Sequence, residues 1–394
     1  MNIKSRILTA TLLLFVGSAV MAVDNMSGKG TGGVSIISSG GKSATVLTLS
    51  PTLGIGNFGF GLDVNLFMPA ENKPKNASFV SIRYVEYDDG INGIRYGVLS
   101  GITLGYGLIM NDYSTEVNGS TIFDPSKAGV KAYTNAFNPY GMMAVITNTK
   151  VYAGRLTYQP AELELLGKQV KLGLSYAVDN DGVSNTAGTI GKGQAAMAAD
   201  AGWLVFGDAG TLFVEVGQLI NYSKGGMTGV KGKVFNFLDY QVDYRTFGSK
   251  FVPGYFNYQY ELSPTDLETV NLGSMSGYHG SLGFSIFNLA NFIAEYQNIK
   301  YKNKAKEDPS LKAILTVNEI AGVSAQARYE QVQMTSFSKI GSGGANIAVD
   351  TYAPLTMLGV NFPGNAKITW KRVYNDQGQM EDSTEYGYAI PFKF

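Results

Sequence analysis

The residues of this chain with the clearest catalytic chemistry are a single histidine, His279, and Ser281 two positions later. A serine–histidine pair becomes a nucleophilic centre only when a third group orients the imidazole and an oxyanion site stands nearby. In an extended strand, residues i and i+2 share a face but lie about 7 Å apart, too far for a direct hydrogen bond. We therefore expect no enzyme, and a histidine that lines a polar surface.

The chain also has few of the side chains that bind metal ions. The chain has no cysteine and one histidine, which excludes thiolate sites and most transition-metal sites. The segments Asp179–Gly182 and Asp88–Gly90 resemble the start of a calcium loop but lack its remaining spaced oxygen ligands. Asp-Gly is also a common hairpin turn. The sequence predicts no metal and no cofactor.

The charges balance, with 31 Lys and Arg against 31 Asp and Glu. A general nucleic-acid binder needs a basic face, so this balance argues against that function.

Apolar residues alternate with small or polar ones in many short segments. Clear examples run over 58–66, 170–178, 238–244, 278–286 and 368–374. Because successive side chains of a strand point to opposite faces, each segment is predicted to be a strand with one apolar face. A β-sandwich would alternate in the same way, with its apolar faces turned inward. Strand by strand, the pattern does not distinguish such a sandwich from a β-barrel whose apolar faces point outward.

The last strand favours the barrel. Tyr386, Tyr388, Ile390, Phe392 and Phe394 occupy every second position, and the chain stops at the last of them. This ending resembles the closing strand of bacterial outer-membrane β-barrels, the porin-like proteins among them. Counting the alternating segments and their connections gives about 18 strands, within a range of about 16 to 20. The resemblance implies an all-β fold in which these strands form a single transmembrane antiparallel β-barrel. It also implies insertion by the barrel-assembly machinery through the C-terminal strand.

The first 22 residues read as a secretory signal peptide. Lys4 and Arg6 precede an apolar stretch over 7–20, and Val20-Met21-Ala22 offers small residues at the cleavage positions. An uncleaved membrane anchor is the alternative, although the apolar stretch is short for a membrane span. We predict a signal peptide over 1–22 and an outer-membrane β-barrel over 23–394.

Short and long connections take turns along the chain. Asn288-Leu289 and 319–322 are short, whereas 262–276 and 337–350 are long, and Pro363-Gly364-Asn365 reads as a tight turn. Outer-membrane barrels have short periplasmic turns and longer extracellular loops. The same rhythm is therefore predicted here.

The inward positions of the alternating segments carry charges of both signs. A ring of 16 or more strands is too wide for side chains to fill, so these residues are candidates for the lining of an aqueous pore. Alternatively, they pair with each other and only keep the wall hydrated. The candidates are Asp63, Arg83, Arg95, Arg155, Lys171, Glu215, Asp239, Asp243, Glu295, Arg328, Glu330, Lys367 and Lys371.

The connection over 101–124 is apolar and glycine-rich in its first part, unlike a hydrophilic outer loop. An apolar loop of this length should not stand in water. It is predicted either to fold into the bore and narrow it, with Asp112, Glu116 and Asp124 facing a basic wall, or to continue as a strand that bends at Gly105 and Gly107.

The favoured function is an outer-membrane channel for passive diffusion of small hydrophilic solutes. The alternative is a structural or surface-display barrel whose loops bind a partner without transport. A transporter with an inward plug over 23–33 is less favoured, because that segment is short and not apolar. Expected partners are outer-membrane lipid and small polar solutes, and the resemblance to general porins allows a homotrimer.

Overall fold

The computed structural model describes 26–39, 42–68, 79–115, 127–161, 163–165, 167–181, 193–206, 209–235, 237–258, 260–261, 265–268, 273–286, 289–302, 310–320, 323–331, 345–357, 360–374, 380–389 and 392–393. The described strands form one antiparallel sheet. The first eleven are β1 (Met26–Ser39), β2 (Lys42–Ile55), β3 (Phe58–Met68), β4 (Val80–Asp88), β5 (Asn92–Gly97), β6 (Gly129–Thr134), β7 (Tyr140–Thr147), β8 (Val151–Tyr158), β9 (Glu164–Leu165), β10 (Lys168–Asp179) and β11 (Gln194–Trp203). The others are β12 (Thr211–Leu219), β13 (Ser223–Val234), β14 (Leu238–Phe247), β15 (Met275–Ile286), β16 (Ala290–Tyr301), β17 (Ser310–Ile320), β18 (Val323–Gln331), β19 (Ala345–Met357), β20 (Val360–Tyr374), β21 (Met380–Ala389) and β22 (Phe392–Lys393).

The sheet closes into a ring. Strand β1 pairs with β2 along one edge, and along the other it pairs with β21 at Gly33↔Ala389 and with β22 at Lys29↔Lys393. The two-residue β9 pairs only with β10, and β21 and β22 together occupy one position, so the described strands form a ring of twenty positions. This number lies at the upper end of the expected range. Closure satisfies the backbone groups that an open sheet would leave bare at its edges.

The two rims of the ring differ in the length of their connections. At the rim where β1 begins, here called the terminal rim, the connections are short, among them 56–57, 89–91 and 321–322. At the opposite rim, the loop rim, long connections such as 98–128, 248–274 and 332–344 join the strands. The expected rhythm is present in these connections, although 148–150 and 220–222 are short and lie at the loop rim. Two predictions are corrected. The long connection expected over 337–350 ends earlier, because β19 begins at Ala345. Pro363–Asn365 is not a turn but part of β20, beside a register shift against β19. Because proline donates no ladder hydrogen bond, it marks an irregularity in the strand pairing here.

The wall has two contrasting faces. On β10, the outward Leu172, Leu174 and Tyr176 are exposed, while the intervening Ser175 and Ala177 are buried. The same alternation recurs on β12, β14 and β15. Large apolar side chains therefore cover the outside of the ring, and small or polar ones line its inside. Within the described residues, no helix is both long and apolar enough to cross a membrane.

The hydrophobic core lies inside the ring, where segments from the loop rim fold inward. Ile109, Met110 and Phe256 belong to connections, and they pack in one cluster with the wall residues Ala177 and Phe213. The bore of the barrel is thus partly filled by its own loops.

Candidate functional site

The segment over 98–115, here called the inner loop, enters the bore directly after β5. Gly97 ends that strand with a φ of 119°, a conformation that L side chains rarely adopt, and a Cβ there would lie 2.2 Å from the Arg83 carbonyl oxygen. Leu99, Ile102 and Leu108 are then almost completely buried against the wall. The described part of the loop is therefore not a bent strand of the wall. It folds back on itself, with Ile102 bridging Tyr113.

A buried carboxylate holds the turn of the inner loop. Glu215 points inward from β12 and is completely buried. Its Oε2 accepts hydrogen bonds from the backbone N–H groups of Tyr106 at 2.9 Å and Leu108 at 3.2 Å. Gly105 has a φ of 62°, and a Cβ at this position would lie 2.3 Å from Glu215 Oε1, so only glycine fits. Glu215 thus anchors the loop and is not itself open to the bore.

Neighbouring charges support this anchor. The Arg155 guanidinium binds both oxygens of the Asp200 carboxylate, at 2.5 and 2.9 Å, and donates to Ser175 Oγ. Lys231 Nζ lies 4.7 Å from the centre of the Tyr106 ring, which stacks on Phe213 with 4.2 Å between ring centres. A cation over an aromatic face is attracted by the ring quadrupole. The loop is therefore fixed to the wall by polar and apolar contacts together.

A second segment from the loop rim, over 251–261 and here called the supporting loop, packs beside the inner loop. Asn111 donates its backbone N–H to the Phe256 carbonyl oxygen at 3.0 Å, and Phe256 returns its own N–H to the Ile109 carbonyl oxygen at 3.1 Å. The Tyr113 hydroxyl donates to the Glu261 carboxylate, which also accepts from Thr149 Oγ1 at 2.8 Å. The two loops therefore form one unit inside the ring.

Burial strengthens these contacts. It raises the pKa of the Tyr113 hydroxyl, and the negative charge of Glu261 raises it further. It also raises the pKa of Tyr260, whose hydroxyl donates to Asp179 Oδ2 at 2.8 Å. Both phenols consequently remain protonated donors across the physiological range.

The inner loop keeps one polar, exposed edge. Thr103, Asn111 and Asp112 are exposed along it, and the Asp112 backbone N–H donates to Thr103 Oγ1 at 3.0 Å. Partial desolvation beside the loop raises the pKa of Asp112, and the negative charge of Glu295 raises it further. Glu295 is itself exposed on β16, so two carboxylates from different elements lie within electrostatic range of each other.

The wall beyond Glu295 carries mixed charge. Lys312 Nζ lies 3.3 Å from Glu330 Oε1, and Arg328 Nε donates to Gln326 Oε1 at 2.9 Å. Lys312, Arg328 and Glu330 are all exposed at inward positions. Among the described residues, the inner face of β16–β18 therefore presents exposed charges of both signs to the bore.

The remaining candidates from the sequence are distributed around the wall. Most of those with described side chains form ion pairs: Arg83 with Asp63 at 3.4 Å, Arg95 with Glu86 at 2.7 Å, Asp239 with Lys233 at 3.6 Å, and Asp243 with Arg245 at 2.5 Å. Asp243 Oδ2 also lies at hydrogen-bond distance, 2.8 Å, from His279 Nδ1. Lys171 is exposed on β10. The side chains of Lys367 and Lys371, together with Glu116 and Asp124, lie outside the described residues.

Sequence reasoning missed several members of the site, namely Asp200, Lys231, Glu261 and Lys312. Asp200 and Lys231 lie on strands with few large apolar residues, where alternation is hard to see. Glu261 lies in a connection with no pattern of its own. Across the part of the chain that the structure describes, no three metal-ligating side chains come together.

The closed antiparallel ring and its apolar outer face decide the class of fold. The chain is an outer-membrane-type β-barrel. The architecture implied by its terminal strand is confirmed at this level.

Comparisons with known proteins give likeness to solved structures alone. No family model matches the chain, and no curated protein does. The chain is similar to Pseudomonas aeruginosa OccK3 (OpdO), at 10% identity over 93% of this chain and 95% of that one, with a TM-score of 0.43. It is also similar to OccK2 (OpdF) of the same organism, at 10% over 94% and 97% with a TM-score of 0.40. A third is the outer membrane protein OpdK, also of Pseudomonas aeruginosa, at 11% over 94% and 98% with a TM-score of 0.38.

Proposed function

We propose that this barrel is an outer-membrane channel of a Gram-negative-type bacterium, through which small hydrophilic solutes diffuse passively. One observation supports this most directly. The inner loop is held against one side of the bore, while its polar edge and the exposed charges of β16–β18 face the bore.

The inner loop is proposed to form the constriction of this channel. Its apolar side is buried on the wall, and Thr103, Asn111 and Asp112 are among its described residues that remain exposed to meet a solute. Opposite charges around a narrow aqueous path order water and favour small polar solutes. The solute gradient drives transport, and the protein supplies the wet, charged path.

Location and assembly complete the proposal. Residues 1–22 direct export and are removed, and the last strand engages the barrel-assembly machinery. The loop rim faces outward from the cell, in keeping with its longer connections. A homotrimer is the assembly that general porins suggest.

Conductance in planar lipid bilayers tests the proposed function. The purified barrel should give open steps of steady size, and the current should fall when sugars are added. Asp112→Asn and Glu295→Gln should each lower the preference for cations over anions, measured as reversal potential in a salt gradient. Asp239→Asn is the matched control, because this carboxylate is inward but paired with Lys233. A silent membrane would contradict transport and favour the surface-display role.

A further inference from the structure

A groove crosses the lipid-facing side of the wall from β8 to β14. Its volume is about 1130 Å³. Leu156 pairs with Leu174, Leu174 with Ala199, Ala199 with Val216, and Val216 with Gly226, so these residues form one row perpendicular to the strands. Ala199 and Gly226 are small and leave a recess between the larger side chains of this row and the next. Tyr176 and Met197 belong to that adjacent row.

One end of the groove is polar. Lys224 lies immediately after the start of β13 at the loop rim and pairs across the ladder with Gln218. Thr246 and Ser274 line the groove nearby. Lys224 forms no ion pair with any residue that the structure describes, and no carboxylate is among the groove residues. The groove is therefore apolar along most of its length and ends at a cation, at the level where the membrane surface begins.

We propose that this groove binds one phosphorylated glycolipid of the lipid A type. An acyl chain fills the recess over Ala199 and Gly226, and a phosphate binds the Lys224 ammonium. A lysine at the membrane interface attracts anionic headgroups, and a charge-assisted hydrogen bond to phosphate is stronger than a neutral one. The amide of Gln218 and the hydroxyls of Thr246 and Ser274 match the hydroxyl groups of a sugar.

A second copy of this chain fits the groove less well. A protein surface pressed onto it would remove Lys224 from water, and the groove supplies no carboxylate to compensate that charge. A lipid supplies the missing anion itself. The choice of a glycolipid over a glycerophospholipid rests on the proposed location, in which the loop rim faces outward from the cell.

Native mass spectrometry of the full-length barrel, extracted from cells in mild detergent, tests this proposal. Wild type should retain one glycolipid per chain. Lys224→Ala should reduce that occupancy, because loss of one charge-assisted contact of about 1.4 kcal/mol weakens binding about tenfold. Ala199→Phe should also reduce the glycolipid occupancy, because the ring fills the recess while Lys224 stays in place. Lys150→Ala is the control, since Lys150 lies in a loop-rim turn but pairs with Asp181 outside the groove. Heat-dependent gel mobility verifies that each variant has folded.

Four results would overturn the proposal: a wild-type barrel without lipid, equal occupancy in wild type and Lys224→Ala, retention of glycerophospholipid in place of the glycolipid, or an oligomer that Ala199→Phe dissociates. Conductance separates this outcome from that of the proposed function. A barrel that conducts but retains no glycolipid refutes the lipid site alone.

Discussion

Among single residues, Glu215 has the clearest structural task. Glu215→Ala would leave the buried N–H groups of Tyr106 and Leu108 without their acceptor, and each unsatisfied buried donor costs about 1–3 kcal/mol. The inner loop should loosen, so we expect noisier single-channel current and a lower unfolding temperature. Glu330→Ala is the control, because its ion pair with Lys312 is exposed and should change stability by less than about 1 kcal/mol. Quiet current in Glu215→Ala would contradict the anchoring role.

Asp89, in the turn between β4 and β5, should contribute a dependence of stability on pH. Hydrogen bonds from the backbone N–H groups of Asn92 and Ile91 lower its pKa to about 2, from an ordinary value of 3.8. Because the folded-state pKa is lower, the carboxylate stabilises the fold above about pH 4, and this contribution is lost as the pH falls through 2. Asp89→Asn should therefore flatten the pH dependence of the unfolding temperature between pH 4 and pH 2. Asp239→Asn is the reference variant. If stability depended on pH as steeply in Asp89→Asn as in Asp239→Asn, this account would be contradicted.

The direction in which a side chain points could be predicted from the sequence, whereas its contacts could not. Alternation placed Arg83, Arg155 and Asp243 on the inner face. The partners of Arg155 come from Ser175 and Asp200 on two further strands. Glu215 is covered because a loop more than one hundred residues away in sequence folds onto it. Such contacts depend on register and on loop placement, which local alternation does not contain.

At the scale of elements, the end of β5 decides where the inner loop goes. Gly97→Ala would place a Cβ against the Arg83 carbonyl oxygen in a backbone conformation that costs about 1–3 kcal/mol for a residue with a side chain. The expected results are a lower unfolding temperature and altered conductance, since the loop must leave the strand at another angle. Gly154→Ala is the control, because its Cβ would meet only an ordinary contact at 3.6 Å. Equal behaviour of the two variants would argue against a directing role for Gly97.

Strands were predictable where large apolar residues alternate, as in β10, β14 and β15. The alternation is weak in β11 and β13, because alanine and glycine fill positions on which the inner loop packs or the outer groove runs. Pro363–Asn365 misled the sequence reasoning for a different reason. A proline–glycine pair usually ends a strand, but here the neighbouring Asn365 pairs with both Pro354 and Ala389, so β20 continues.

The whole molecule combines a wide ring with a partly filled interior. Twenty strands enclose more space than wall side chains can occupy, so the interior must hold water, loops or both. Here the inner and supporting loops supply the apolar core on one side, and exposed charges remain on the other. Composition could not reveal this division, because the core combines loop residues with strand residues that are distant in sequence.

Closure of the ring yields the last prediction. Lys29 and Gly30 of β1 pair with Lys393 and Phe392 of β22. Deleting 392–394 would leave these backbone groups bare in hydrocarbon, where each unpaired peptide group costs several kcal/mol. We expect the truncated chain to lose heat-dependent gel mobility and the circular-dichroism signal of a formed sheet in detergent. Deleting three residues within the 332–344 connection is the matched control, and that variant should fold. A truncated chain that folds and conducts like the control would show that β21 alone closes the ring.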